Sequence, residues 1–243
     1  MDWEEFRDLQ LAFLRASVPE IETPTDMAIP GALHKAAAEH GVRYVISGGN
    51  YATEGILPAA WHYNAKDLRF LKAVHRRFGT GKLRTFPTFG YLDEAYYKLV
   101  KGIRILYPLN HVPYSKSAAM KLLQDELGWQ DYGGKHYESR ITGFVQSYVL
   151  PVKFDIDYRK ATFSTQICAG VMTREEALEE LRRPPFDPAQ VAREKEYIAK
   201  KFELTVAELE EILASPPRSY RDYPSDKRKL ELVYRIYRRW FSA

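Results

Sequence analysis

Cysteine is almost absent from this 243-residue sequence, in which Cys168 is the only one. A single cysteine excludes a disulfide within the chain and any cysteine-based zinc or iron–sulfur site that this chain could make alone. Long hydrophobic runs are also missing, since no apolar stretch approaches the roughly 20 residues of a membrane span. The opening M-D-W-E-E is too acidic for a signal peptide. We therefore expect a cytoplasmic protein that is held together by packing.

Charge of one sign is not in large excess, because 36 Lys and Arg face 32 Asp and Glu, for a net charge of +4. This value favours neither nucleic acid nor a membrane as a partner. The distribution is uneven: residues 1–60 carry 9 acids and 4 bases, whereas residues 61–104 carry 10 bases and 3 acids. The basic stretch is a candidate surface for an anion, and a solvated helix face is the alternative.

Familiar catalytic and nucleotide motifs are missing as well. The six histidines show no H-x-x-x-H or H-E-x-x-H spacing, so no metal site is expected. There is no G-x-S-x-G elbow, no phosphate loop and no G-x-G-x-x-G, and Cys168 lacks the G-x-C-x-G setting of a glutaminase nucleophile. We expect Cys168 to be a small buried residue, and any chemistry to depend on electrostatic positioning.

The apolar periodicity predicts a mainly helical chain with one early strand. Helices are predicted over 2–17, 25–40, 66–77, 91–106, 115–127, 137–150 (stopped by Pro151) and 225–241, with capping boxes at Thr173 and Thr205 and a strand over 42–46. The order helix, strand, glycine-rich loop is typical of doubly wound α/β folds, which bind ligands at the carboxyl ends of parallel strands. The basic final helix either lies on an anionic membrane or packs on its own domain.

Three clusters are candidates for binding or chemistry. The loop 47–55 (S-G-G-N-Y-A-T-E-G) leaves room for a ligand at its glycines and offers polar groups within one turn, although a tight connection without a ligand has the same pattern. The segment 131–140 (D-Y-G-G-K-H-Y-E-S-R) could bind an anion or shuttle protons, or could be an ordinary helix start. The segment 153–160 adds cations that could face a polyphosphate, or could form a salt-bridged turn.

Several motifs, in order, resemble the N-acetyl sugar amidotransferase family. They are 44–50 (Y-V-I-S-G-G-N), 52–58 (A-T-E-G-I-L-P), 63–69 (Y-N-A-K-D-L-R), 132–139 (Y-G-G-K-H-Y-E-S) and 172–178 (M-T-R-E-E-A-L). The resemblance runs from Trp3 to about Pro224. It implies a partial doubly wound parallel sheet of the ATP pyrophosphatase type with a large helical C-terminal part. It further implies three parts: an α/β remainder over 1–60, a mainly helical substrate-binding part over 61–170 and a helical region over 171–243.

The family's reaction, as the resemblance implies it, uses ATP and Mg²⁺ to activate the acetamido oxygen of a nucleotide-linked N-acetyl sugar. Ammonia from glutaminase and cyclase-like partner subunits then gives an acetamidino group, in surface polysaccharide, O-antigen or nonulosonic acid biosynthesis. The implied catalytic residues are Lys135, Glu138, Lys153 and Arg159. The implied cofactor-binding residues are Ser47, Gly48, Gly49, Asn50, Thr53 and Glu54, and the implied substrate-binding residues are Tyr63, Lys66, Arg69, His136 and Arg140.

The chain departs from the family at its start. Members open with a pyrophosphate loop of the form S-G-G-x-D-S, and the loop 47–52 (S-G-G-N-Y-A) lacks its aspartate and second serine. We therefore expect that a missing N-terminal segment or another chain supplies this loop. Two alternatives stay open: a non-catalytic remnant that binds a sugar nucleotide or partner subunits, and RNA modification, which requires salt-sensitive RNA binding. The interpretation adopted has no nucleic-acid partner and no transmembrane segment.

Overall fold

A computed structural model describes residues 1–61, 63–130 and 139–232 and divides them into two compact units. The first unit comprises residues 1–43, 63–103 and the described part of the chain after residue 209. The second unit comprises the described residues within 44–62 and 104–209. Each unit draws on more than one of the three parts expected from the sequence, and that three-part division stays a prediction.

The described elements follow one another in a mainly helical order. They are α1 (Trp3–Ala16), α2 (Thr23–Glu39), β1 (Tyr44–Ile46), α3 (Tyr51–Glu54), α4 (Leu68–Phe78), α5 (Tyr91–Ala95) with a π turn (Tyr96–Val100), β2 (Arg104–Leu106), α6 (Lys116–Leu127), α7 (Arg140–Phe144) with a π turn (Val145–Val149), α8 (Leu150–Phe154), α9 (Tyr158–Cys168), α10 (Arg174–Arg182), α11 (Pro188–Lys201) and α12 (Val206–Ala214). Short 3₁₀ turns lie at Pro108–Asn110 and Tyr220–Asp222.

Helix α1 confirms the amphipathic helix predicted at the start of the chain. The side chain of Asp2 caps it by accepting a hydrogen bond from the N–H of Glu4. Leu9, Ala12 and Phe13 are fully buried, as is Ala16, which completes an i, i+3, i+4, i+7 stripe. This stripe forms one wall of the core of the first unit.

Helix α4 supplies the facing wall of that core. Its Phe70, Leu71 and Val74 are fully buried, and the Phe70 ring meets the Phe13 ring edge-on at 5.6 Å between centroids. Each such buried side chain stabilises the unit by about 1.5–3 kcal/mol. The opposite face of α4 remains in solvent, which matters for the basic groove described below.

Acidic residues of α1 organise the loop that follows α4. The Glu5 carboxylate accepts hydrogen bonds from the N–H groups of Arg84, Thr85 and Phe86 at 2.8–2.9 Å. Asp8 accepts hydrogen bonds from Thr80 and from neighbouring groups in the same turn. Part of the acidic excess of residues 1–60 therefore has a structural use.

Strands β1 and β2 form a two-stranded parallel sheet in the second unit. Val45 pairs with Ile105 at the centre of the ladder. The side chains of Tyr44 and Ile46 are exposed. Among the residues that the structure describes, this is the only sheet, and the doubly wound sheet stays a prediction.

Strand β2 corrects the prediction of one continuous helix over 91–106. The helical backbone ends after the π turn, and Gly102 adopts a positive φ of 68° that an L side chain disfavours. The next residues pair with β1, about 60 positions earlier in the chain. The helix prediction was wrong here because a ladder partner so distant leaves no trace in local periodicity.

Pro151 does not stop the helix that runs through it, contrary to the prediction. The N–H of Leu150 donates to the carbonyl of Val145, five residues earlier, and α8 continues to Phe154. Pro151 follows directly on the π turn, where the backbone hydrogen bonds are shifted by one residue, and this irregularity accommodates a residue without an N–H. The helix instead ends at Asp155, which has a positive φ of 54°.

Several cap predictions are confirmed. Ser115 and Gly128 bound α6, with Gly128 in the left-handed conformation. Thr173 and Thr205 each accept a hydrogen bond from the N–H three residues on, and a glutamate reciprocates in both cases.

Cys168, expected to be buried, is exposed.

Within the described ranges, no helix is both long enough and apolar enough to cross a bilayer. Residues 227–232 are helical. Of the helix predicted over 225–241, residues 225 and 226 are not helical, and residues 233–241 lie outside the described residues.

Candidate functional site

The glycine-rich loop lies where the sequence places it, at the carboxyl end of β1. The N–H of Ser47 donates to the carbonyl of Leu106 at 2.8 Å, so the loop starts beside the end of β2 as well. Two parallel strands therefore end at the same edge, the usual position of ligand sites in open α/β sheets.

Most polar groups of this loop bond to each other. The N–H of Gly49 donates to Ser47 Oγ at 3.1 Å, and Asn50 Oδ1 accepts from both the N–H (2.9 Å) and the hydroxyl (3.1 Å) of Thr53. The N–H of Tyr51 donates to Asn110 Oδ1 at 2.9 Å. The loop is therefore a closed turn in which three backbone donors are already used.

The two glycines differ in their surroundings. A Cβ on Gly49 would lie 3.2 Å from the ring of Tyr107, whereas a Cβ on Gly48 would meet nothing within 4 Å. The close approach of the Tyr107 ring therefore favours a glycine at position 49, whereas position 48 borders open space. Glu54 is exposed at the end of α3.

The loop does not by itself fit a triphosphate with Mg²⁺. Its N–H groups at Gly49, Tyr51 and Thr53 are committed, as described above. Across the described part of the chain, no group of three or more His, Cys, Asp or Glu residues could hold a metal ion.

Tyr63 is held in the first unit as a structural residue. Its hydroxyl donates to Asp67 Oδ2 at 2.8 Å, and its ring packs on Phe70 at 5.0 Å between centroids. Burial, together with the neighbouring charge of Asp67, raises the pKa of Tyr63 well above its ordinary value. Tyr63 therefore stays a neutral donor that orients Asp67.

Lys66 and Arg69 line an open groove of the first unit, with a volume of about 950 Å³. The Lys66 ammonium contacts Glu94 at 2.8 Å, and the Arg69 guanidinium contacts Asp226 at 3.3 Å. The groove is also lined by Lys72, Arg76 and Lys229. These three cations were not among the predicted site residues, although the basic excess of residues 61–104 pointed to the first two.

Arg140 is paired within the second unit. Its guanidinium forms two hydrogen bonds with Glu194, at 2.9 and 3.0 Å, and stacks 3.5 Å from the ring centroid of Tyr197. It borders a pocket of about 140 Å³ together with Phe144 and Phe186. Because the Glu194 carboxylate pairs with Arg140 through both oxygens, little of the arginine's positive charge remains for a phosphate.

Arg159 joins two helices of the second unit. It contacts the Asp157 carboxylate at 2.7 Å and donates to the carbonyl of Arg183, at the C-terminal end of α10, at 2.9 Å. The Lys153 ammonium lies 5.9 Å from the ring centroid of Phe154. The remaining predicted residues, Lys135, His136 and Glu138, lie outside the described residues.

Glu20 is a titratable residue that no sequence pattern singled out. Its Oε2 is buried and has no hydrogen-bond partner among the described residues. Burial outweighs a hydrogen bond from its own N–H and the nearby charge of Lys227, and raises the pKa of Glu20 from 4.5 to about 7. The sequence signal was weak, because an isolated Glu between α1 and α2 is normally exposed.

Residues 138–238 match the family model described as LPS biosynthesis protein WbpG-like, C-terminal domain. The match covers less than half of the chain and supports a WbpG-like relationship and a place in lipopolysaccharide (LPS) biosynthesis. Searches of curated proteins and of solved structures find no match.

Proposed function

We propose that this chain is an N-acetyl sugar amidotransferase of lipopolysaccharide biosynthesis, in which ammonia converts the acetamido group of a nucleotide-linked sugar to an acetamidino group. The observation that carries the proposal is the match of residues 138–238 to the C-terminal domain of WbpG-like LPS biosynthesis proteins. The resemblance of the motifs at 44–69 to N-acetyl sugar amidotransferases supports the same function at the other end of the chain.

ATP with Mg²⁺ is the proposed cofactor. Bound ATP would supply the energy of the reaction by making the acetamido oxygen a good leaving group. The residues of this chain that would border it are at the loop 47–54, where Gly48 leaves open space. Since that loop has few free donors, we propose that a pyrophosphate loop from another segment or chain holds the triphosphate.

The proposed role of this chain's own cations is to hold the anionic substrate. The residues proposed for this role are Lys66 and Arg69, which line the groove of the first unit beside Glu94 and Asp226. Transfer reactions of this kind depend on positioning and charge stabilisation rather than on a protein nucleophile. Ammonia would come from glutaminase and cyclase-like partner subunits, and a cytoplasmic location belongs to the same proposal.

The test is a reconstituted reaction. The full chain, with a pyrophosphate-loop segment supplied, is incubated with ATP, Mg²⁺, ammonium chloride and a UDP-linked N-acetyl sugar. The expected result is AMP together with a sugar nucleotide in which one oxygen is replaced by NH, detected by mass spectrometry. AMP without the modified sugar, or neither product, would contradict the proposal.

A non-catalytic sugar-nucleotide-binding role is the second candidate, favoured by the hydrogen bonds that already occupy the N–H groups of Gly49, Tyr51 and Thr53 in the loop 47–53. Isothermal titration of the chain, together with the reconstituted reaction, separates the two. Sugar-nucleotide binding with no turnover, even when the pyrophosphate loop is supplied, would favour this second role.

A further inference from the structure

Helix α4 presents two chemically different faces. Phe70, Leu71 and Val74 are buried in the core of the first unit. On the other side, Arg69, Lys72, Ala73 and Arg76 follow an i, i+3, i+4, i+7 pattern, and all four line the groove of about 950 Å³. The helix therefore holds a basic stripe against an open cavity, and its position is fixed by the packing of the buried face.

The cations of the groove fall into two groups. Lys66 contacts Glu94 at 2.8 Å, while Arg69 and Lys229 share Asp226 at 3.3 and 3.0 Å. Each of these three cations has a carboxylate partner, and Glu94 and Asp226 each serve two cations.

Lys72 and Arg76 differ, since both are exposed and neither has an ion pair or hydrogen bond to another described residue. The second acid of the lining, Asp93, accepts a hydrogen bond from the N–H of Gly90 at 2.8 Å and thus serves a helix cap. Among the described residues, nothing therefore compensates the positive charge of Lys72 and Arg76.

The size and lining of the groove fit a ligand with two linked phosphates and an organic group. Residues four apart on a helix have Cβ atoms about 6 Å apart, close enough for two side chains to contact two linked phosphates. Leu68, Leu92 and Leu230 also line the groove, and Leu92 is 87% exposed. A volume near 950 Å³ is at the upper end of the range for small-molecule sites. An organic group beside the phosphates would cover the leucines.

We propose that this groove binds a diphosphate ester, with the phosphates on Lys72 and Arg76 and the organic group against Leu92. Arg76 offers a planar fork of donors to phosphate oxygens, and Lys72 offers a compact charge. The inference rests on the proposed function only for the identity of the ester, which would then be the nucleotide-linked sugar.

The experiment is isothermal titration of the full chain with two probes, UDP-N-acetylglucosamine and geranyl diphosphate, which separate a nucleotide ester from a lipid-type ester. We expect the K72A/R76A variant to bind the preferred probe at least about tenfold more weakly, since two charge-assisted contacts are lost. The matched control is K82A/R84A, which removes the same charge from exposed positions of the same unit outside the groove. Its affinity should stay within about twofold of the wild type.

Two further variants guard against a trivial loss of structure. K72R/R76K keeps both charges and should retain binding, and Leu92→Glu should weaken binding without altering α4. Equal affinities for K72A/R76A and K82A/R84A, or no binding of either probe by the wild-type chain, would overturn the proposal.

The outcome also separates this inference from the proposed function. Unchanged UDP-N-acetylglucosamine binding by K72A/R76A would overturn the groove and leave the amidotransferase proposal standing. Groove-dependent binding of geranyl diphosphate alone would support the groove and count against a nucleotide-linked substrate.

Discussion

Replacing Glu20 by glutamine should make the protein more stable above neutral pH. Burial raises the pKa of Glu20 from 4.5 to about 7, and its Oε2 has no partner among the described residues. A pKa raised from 4.5 to about 7 corresponds to about 3 kcal/mol of free energy between the protonation states. Glutamine resembles the protonated acid, so the substitution removes the cost of burying a charge.

The direction of the pH dependence follows from the two pKa values. Below pH 4.5 the carboxyl group is protonated in both the folded and the unfolded chain. Between pH 4.5 and 7 the unfolded chain releases the proton while the folded chain keeps it, so the free energy of unfolding falls as pH rises. The wild type should therefore lose up to about 3 kcal/mol across this window, and Glu20→Gln should not show that loss.

Urea unfolding of both proteins at pH 4.5 and pH 8 measures this difference. The two proteins should be nearly equal at the lower pH, and the variant should be more stable by about 2–3 kcal/mol at the higher pH. The control is Glu39→Gln, where the side chain is 59% exposed and the change should be under about 0.5 kcal/mol. The same pH dependence in Glu20→Gln and Glu39→Gln would refute the reasoning.

Three further predictions concern other buried or bonded groups. Burial alone would raise the pKa of Asp8, but hydrogen bonds from Gly81, Thr80 and His75 outweigh it and lower the pKa to about 2. The stability that these bonds give is present above pH 4 and is lost as pH falls through 2. In urea unfolding, Asp8→Asn should therefore cost about 1 kcal/mol at pH 7, after allowance for solvent screening, and nothing near pH 2. Arg159→Lys should lower the free energy of unfolding by about 1–2 kcal/mol, because lysine cannot both pair with Asp157 and donate to the carbonyl of Arg183. An unchanged unfolding curve together with lost turnover would instead support the predicted catalytic role. Gly31→Ala should lower the free energy of unfolding by about 2–3 kcal/mol, since the new Cβ would lie 2.3 Å from the Pro87 carbonyl oxygen. Gly48→Ala, whose Cβ would have nothing within 4 Å, is the control, and equal melting temperatures of the two variants would contradict the argument.

Features that depend on near neighbours in the chain could be predicted from the sequence. The buried stripe of α1, the caps of α6 at Ser115 and Gly128, and the capping boxes at Thr173 and Thr205 all involve residues within about two turns of each other. The strand and glycine-rich loop after residue 43 were found for the same reason.

Features that depend on distant contacts could not be predicted in this way. Strand β2 exists because Ile105 pairs with Val45, far along the chain. The continuation of the helix through Pro151 depends on a π turn whose hydrogen bond from Leu150 to Val145 is shifted by one residue. Neither feature changes the local pattern of apolar residues.

In the candidate site, too, some features depend on near neighbours in the chain and others on distant contacts. The sequence by itself determined which segments carry glycines and cations, since composition and spacing are local properties. Only the tertiary structure decided which of those cations are available: Arg140 pairs with Glu194, Arg159 holds the end of α10, and Lys72 and Arg76 stay without a described partner. The physical reason is that a charge is neutralised by whatever folding brings within a few ångströms, and those neighbours come from remote parts of the chain.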